Sequence, residues 1–428
     1  MAEPSTSPFW RILAKPGLTT VLGAVAASAY GFFVSQLALS WAALESTGSS
    51  LAVGLVFAVR MLPPLAFGLM GGRLADMVDR RRLTIMLNLL GAAASIGVAL
   101  TGGLPTSSLL FVLLVSFGLG MLDTPRLSAS QALVYDVAGR DASLRALALA
   151  NLTAHLVGIV AGIVGGLALS RYGVAAVFVT IAGAQLIAVT LLSVLRPGQQ
   201  ASGLASPFPP ADPTGPFGTK LLDGVGAPRD DDSPTILAGI VSVLREPAVR
   251  VIAVAAVAAE IFAFSSVVLL PAFSETVFRL GAGGLGLMFT ARSVGAVAGL
   301  LSLPVLRQRF GGGILLLLLT GVFATALLVF ALVAHVAVAF AALVVVGGAG
   351  AAIDALNQTL LQQYVPERAR GSAMGVWVSA IGTGPVGQLE AGALAAALGP
   401  AASQAINALL LLSATIVIAV LSPIRRLR

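Results

Sequence analysis

Gly72-Arg-Leu-Ala-Asp76-Met-Val-Asp79-Arg80-Arg81-Arg82 sets a dense run of charge between two segments that are otherwise almost wholly apolar. From Leu51 to Leu74 the only charge before Arg73 is Arg60, and Leu83 to Leu104 carries none. A short basic loop between two such segments reads as a cytoplasmic connection between membrane helices. The order within the loop is specific: a small residue ending a helix, an acid four positions on, then clustered arginines. Asp76 is placed to meet a helix N-terminus, where unpaired N–H groups and the positive dipole end attract a carboxylate.

Working outward, the chain has 428 residues, 57% hydrophobic and 10% charged, with mean hydropathy +0.98. That is too apolar for a soluble fold and fits a polytopic membrane protein. At ~20 apolar residues per crossing there is room for about twelve helices. Six spans are expected before the middle of the chain: Leu18 to Leu44, Leu51 to Leu74, Leu83 to Gly102, Leu104 to Ala129, Ala146 to Ser170 and Val174 to Leu195. Six more follow: Val249 to Phe273, Gly281 to Leu306, Ile314 to Val333, Val336 to Leu361, Ser372 to Leu398 and Ala401 to Leu421. Between the sets, Pro197 to Pro234 is rich in Pro, Gly, Ser and Asp and cannot bury a core. The expected organisation is therefore a six-helix bundle over 1–196, a cytoplasmic linker over 197–247 and a second bundle over 248–428.

The net charge of +7 invites a nucleic-acid reading, which its distribution opposes. With a cytoplasmic N-terminus, 20 of the 25 Lys and Arg fall in cytoplasmic segments; Arg171 and Arg279 lie outside, and Arg60, Arg126 and Arg292 lie within spans. Basicity here fixes topology. Met1 to Lys15 is polar and the following apolar run is too long for a signal peptide. With no cysteine, disulfides and thiolate metal sites are excluded.

Gly72, Asp76, Arg80 and Arg81 resemble the signature loop between helices 2 and 3 of the major facilitator superfamily. Met77 stands where that pattern has a base, and Asp79 where it has Gly. Glu45-Ser-Thr-Gly upstream and Val365-Pro-Glu-Arg368-Ala-Arg370-Gly371 downstream are similar to its drug-efflux branch, which includes macrolide and enterobactin exporters. The resemblance implies an all-α membrane protein with twelve transmembrane helices in two pseudo-symmetric bundles, substrate binding between them and a latch at Asp76. Internal echoes agree: Gly54 precedes Arg60 by six residues as Gly286 precedes Arg292, and Asp123 corresponds approximately to Asp354. A second copy of the loop is degenerate, with Gly299 and Arg307-Gln-Arg309-Phe-Gly311 but no acid. Span 5 carries Ala161-Gly162-Ile-Val-Gly165-Gly166 and lacks the proline frequent in the superfamily's antiporters.

Charges inside a bilayer cost a few kcal/mol each and count as site candidates by default. Glu260, nearly surrounded by Ala, Val and Phe, is the first choice for a group that gains or loses a proton as the cavity changes sides; Asp123, Asp354 and Glu390 are the other proton candidates. Asp123 and Arg126 share a helix face, and Asn357 lies one turn from Asp354. Tyr30, Phe33 and Gln36 fall on one side of span 1, as cavity contacts for an amphipathic ligand. Arg60 and Arg292, on spans that flank the domain interface in the resembled fold, are expected to pair across the halves, and Gly72, Asp76, Arg80 and Arg81 to serve the gate.

Two motif matches fail on context. Gly281-Ala-Gly283-Gly-Leu-Gly286 follows no strand, and Asn151-Leu-Thr153 opens a span. With neither a phosphate loop nor an HExxH pair, the expected activity is export of a small amphipathic compound, drug-like or siderophore-like, by alternating access driven by protons. The expected partners are that compound, protons and the bilayer of the inner or plasma membrane. Both termini are expected in the cytoplasm and the protein to act as a monomer, with no nucleic acid, no cofactor and no metal. A lipid or lysolipid flippase or an uncoupled exporter is the nearest alternative; a receptor or a membrane-embedded enzyme stands further off.

Overall fold

A computed structural model of the chain describes residues 12–13, 15, 17–103, 108–139, 142–195, 241–366 and 369–422, the side chains of 67–77, 144 and 370 excepted. The described residues form helices and turns with no strand. In chain order these are α1 (Leu18–Thr47), α2 (Ser50–Met77), α3 (Arg80–Leu100) and α4 (Leu109–Ala138). The continuous stretch Ser143–Val194 follows; Gly173, at φ 73°, breaks its helical geometry and divides it into α5 and α6. Then come α7 (Pro247–Phe262), α8 (Gly281–Arg309), α9 (Gly312–Leu332) and α10 (Val336–Gln363). Last are α11, in two parts (Arg370–Ile381 and Gly384–Leu398), and α12 (Pro400–Leu421).

Among the described residues nine helical stretches are long and apolar enough to cross a membrane. One of them, Arg145–Val194, has 50 residues, or about 75 Å at 1.5 Å each, and so holds two crossings. Local chemistry sets the ends. Asp79 accepts the Arg82 backbone N–H at 2.8 Å and starts α3, while Ser108 starts α4 through the Phe111 N–H at 3.3 Å. Gly48, at φ 66°, closes α1 by donating its N–H to the Leu44 carbonyl at 2.7 Å. A left-handed residue at that position is cheap only for glycine. Beyond Phe262, α7 tightens into a 3₁₀ segment, Phe264–Leu269, and later loosens into a π turn, Phe273–Val277. Such irregular turns often mark hinges. Gly72 and Asp76 fall in α2 with their side chains outside the described residues, as does most of the expected linker.

Packing gathers α1 to α6 on one side and α7 to α12 on the other: α1 runs along α5 and α6, α2 along α4, α8 along α10, and α9 along α10 and α12. Across the two sets the main seams are α5 with α8 and α2 with α11. Both lie at the end of the molecule away from the Asp79–Arg82 loop. One buried core straddles the sets there, with Val34, Phe178, Phe273, Leu285 and Phe330. Toward the loop end each set keeps its own core, one around Leu133 and Leu192, the other around Leu315 and Leu360. The expected latch would close the loop end; this conformer is closed at the opposite one. Outward faces stay apolar, as at Leu301, 61% exposed, which suits lipid.

The seams are built from small residues. A Cβ on Gly54 would sit 2.5 Å from the Gln388 carbonyl oxygen, and one on Gly162 would sit 2.6 Å from that of Gly286. Thr290 donates to the Ile159 carbonyl at 3.2 Å across the second seam. In lipid, association depends on such close backbone approach. Gly162→Val is therefore expected to disfavour the closed end by about 1–3 kcal/mol, a shift of roughly tenfold or more in population. Because the chain has no cysteine, a single cysteine at the buried seam position Leu285 reads this directly. Its labelling by an impermeant maleimide should accelerate in Gly162→Val; an unchanged rate would mean the seam does not open.

Candidate functional site

At mid-depth of the first set, α4 approaches α2 where a side chain would not fit: a Cβ on Gly120 would collide with the Arg60 carbonyl oxygen. Asp123, three residues on, is thereby brought to Arg60 at 2.6 Å, and its other oxygen accepts from Arg126 one turn along the same helix. Both arginines are 6% exposed. Arg60 also donates to the Ser35 hydroxyl at 2.9 Å and lies 5.1 Å over the Phe32 ring. Its charge is met within its own set, where pairing across the halves was expected.

The second set repeats the close approach. A Cβ on Gly347 of α10 would collide with the Arg292 carbonyl oxygen of α8, and Arg292 donates to the Ser266 hydroxyl of the 3₁₀ segment at 3.2 Å. Here the position three residues on is Gly350. The correspondence expected between Asp123 and Asp354 is off by one helical turn, and Asp354 serves a different cluster. It accepts from the Trp377 side chain and from Gln358 Nε2 at 3.5 Å, within electrostatic reach of Glu260.

Glu260 of α7 lies against Gly384 of α11, in its own set, at a position that Met61 of the other set also approaches. A Cβ at Gly384 of α11 would lie 3.5 Å from Glu260 Oε2 and 3.3 Å from Met61 Sδ of α2. Among the described residues no cation pairs with Glu260 or Asp354. Two carboxylates so placed are most cheaply accommodated with a proton between them. Asn357, 4% exposed, has an Oδ1 with no partner among the described residues.

The other sequence candidates are dispersed. Glu390 accepts from Asn407 at 3.1 Å, between α11 and α12. Tyr30 bonds to Thr180 on α6, whereas Phe33 turns to α5, 6.3 Å from the His155 ring. The aromatic stripe is thus divided between two neighbours; Gln36 is partly buried on α1. Arg80 pairs with Asp136 at 2.7 Å, and Arg81 donates to the Leu192 and Ser193 carbonyls at 2.7 and 2.8 Å. They tie the start of α3 to the ends of α4 and α6. A groove of about 610 Å³ between α9 and α10, lined by Leu318, Val322 and Val345, holds none of these charges.

Sequence reasoning missed Ser35, Ser266, Trp377, Gln358 and Asp136. Of these, only Gln358 left a signal, four residues from Asp354 on one helix face; the rest depend on which helices adjoin.

An all-helical bundle with apolar outer faces and charges gathered inside two contacting helix sets defines a multi-pass membrane protein of the transporter kind. The Major Facilitator Superfamily model matches residues 21–285, and a model described as a transmembrane secretion effector matches 228–427. The chain belongs to the major facilitator superfamily. It is 30% identical over 366 residues to the enterobactin exporter EntS of Escherichia coli O1:K1 / APEC, covering 84% of this chain and 81% of the exporter. The Shigella boydii serotype 18 exporter is 29% identical over 365 residues, with the same coverage.

Solved structures share the fold. The bacterial homologue of the human lysosomal transporter Spinster, inward-facing and unoccupied, aligns at TM-score 0.66 with 15% identity, over 96% of each chain. The nucleoside transporter NupG aligns at 0.70 with 14% identity, over 95% of this chain and 98% of that one. The protein is thus a multi-pass inner-membrane transporter homologous to enterobactin exporters.

Proposed function

We propose that the protein exports a small amphipathic compound in exchange for protons, by rocking two bundles, 1–196 and 248–428, about the seams. The observation that carries the proton role is the Glu260–Asp354 pair, two intramembrane acids with no cation among the described residues, one of them beside the Gly384 position that Met61 of the opposite bundle also approaches. With the Asp79–Arg82 loop in the cytoplasm, as the distribution of basic residues favours, the seams between the sets lie toward the outer face, and in this reading Glu260 is the group that meets substrate arriving from the inside. A bound compound shifts this equilibrium only by its differential affinity for the two conformers. The relatives are enterobactin exporters, which supports export as the direction.

The test is flux of a panel of amphipathic compounds from proteoliposomes, with and without a pH gradient. Gradient-dependent movement of at least one compound, abolished by a protonophore, is the expected result. Movement indifferent to the gradient would favour the uncoupled exporter.

A further inference from the structure

We propose that Arg292 holds an anionic group of the transported compound. This rests on the reading of the protein as an exporter, and it narrows the cargo to organic anions.

The two helix sets build one arginine cradle twice. In each, a glycine lets a neighbouring helix press on the arginine's own carbonyl, Gly120 on Arg60 and Gly347 on Arg292. In each, a serine hydroxyl accepts from one guanidinium nitrogen, Ser35 of α1 at 2.9 Å and Ser266 of the 3₁₀ segment that follows α7 at 3.2 Å. The copies part at the counter-charge. Three residues after Gly120 stands Asp123, which meets Arg60; three after Gly347 stands Gly350. The nearest acid on that helix, Asp354, lies about 6 Å further along at 1.5 Å per residue and is taken up by Trp377, Gln358 and Glu260. Glu390 faces Asn407.

Among the described residues Arg292 thus has a hydroxyl partner and no carboxylate. A guanidinium offers five N–H donors in a planar fork suited to a carboxylate or other oxyanion. Left without an anion inside a membrane it is costly, so such a charge marks a substrate path.

The experiment compares equilibrium binding of 2-naphthoate and the neutral 2-naphthamide to the purified full chain. Wild type is expected to prefer the naphthoate by about tenfold or more. Arg292→Gln should erase that preference by weakening naphthoate binding far more than naphthamide binding, while Arg292→Lys keeps part of it. The ligand-free melting temperature of Arg292→Gln should not fall, because no acid loses a partner, whereas Arg60→Gln should melt earlier. The proposal is overturned if wild type shows no preference, if Arg292→Gln retains it, or if Arg292→Gln destabilises the empty protein as Arg60→Gln does. Gradient-driven flux is scored separately. Naphthoate preference that depends on Arg292 without gradient-driven transport would sink proton coupling and leave the anion site standing.

Discussion

Glu260→Gln is expected to reduce pH-gradient-driven export to the level of protein-free vesicles while leaving substrate counterflow intact. The substitution keeps size and hydrogen bonding and removes only the titratable oxygen, so its effect isolates proton exchange from packing. Glu260 and Asp354 differ in what surrounds them. Asp354 is held by two side chains of its own set, Trp377 and Gln358. Glu260 lies against Gly384, at a position that Met61 of the other set also approaches. When the sets rock, the environment of Glu260 changes most, and a carboxylate releases its proton where water replaces apolar neighbours. Asp354→Asn is expected to slow gradient-driven flux without abolishing it, as for a residue that positions its neighbour. Gradient-driven flux of Glu260→Gln at the wild-type rate would refute the assignment; loss of counterflow as well would assign Glu260 to substrate binding.

The membrane crossings were legible because a span is a length of apolar chain, a property each segment carries by itself. The fourth span shows the limit. Hydropathy ends it near Ala129, yet α4 continues to Ala138, since Ser130, Gln131 and Asp136 leave the apolar layer without leaving the helix. Asp136 thus came into reach of Arg80 unannounced. The charged candidates were legible for the same reason, as isolated charges in apolar runs. Their partners were not, because pairing depends on the depth at which two helices cross. Gly120 and Gly347 set that depth alike, and one residue's identity, Asp123 against Gly350, then decides whether the arginine is neutralised. No spacing within a single span contains that information. The repeat of Gly54 and Arg60 at Gly286 and Arg292 reported that the two arginines correspond, and the fold alone reported the cradle and that its second copy lacks the acid.

Asp123→Asn is expected to cause the largest loss of stability among these substitutions. Asp123 is the acid for both Arg60 and Arg126, each 6% exposed. Arg60 Nε and Nη1 have no partner among the described residues, so besides Ser35 and the face of Phe32 the Asp123 carboxylate is what offsets its charge. Removing one member of a buried pair costs about 3–5 kcal/mol because the remaining charge is left uncompensated. Here two charges remain. By comparison, loss of the Asp79 cap on α3 should cost about 1 kcal/mol. Thermal unfolding in detergent should therefore show Asp123→Asn melting well below both wild type and Asp79→Ala. The double variant Asp123→Asn/Arg60→Gln tests the cause. If uncompensated guanidinium charge is what destabilises the single variant, removing one of the two charges restores part of the loss, with Arg126 still lacking its acid. A double variant that melts lower than Asp123→Asn would instead assign the stability to Arg60's contacts with Ser35 and Phe32, and the ion pair would count for little.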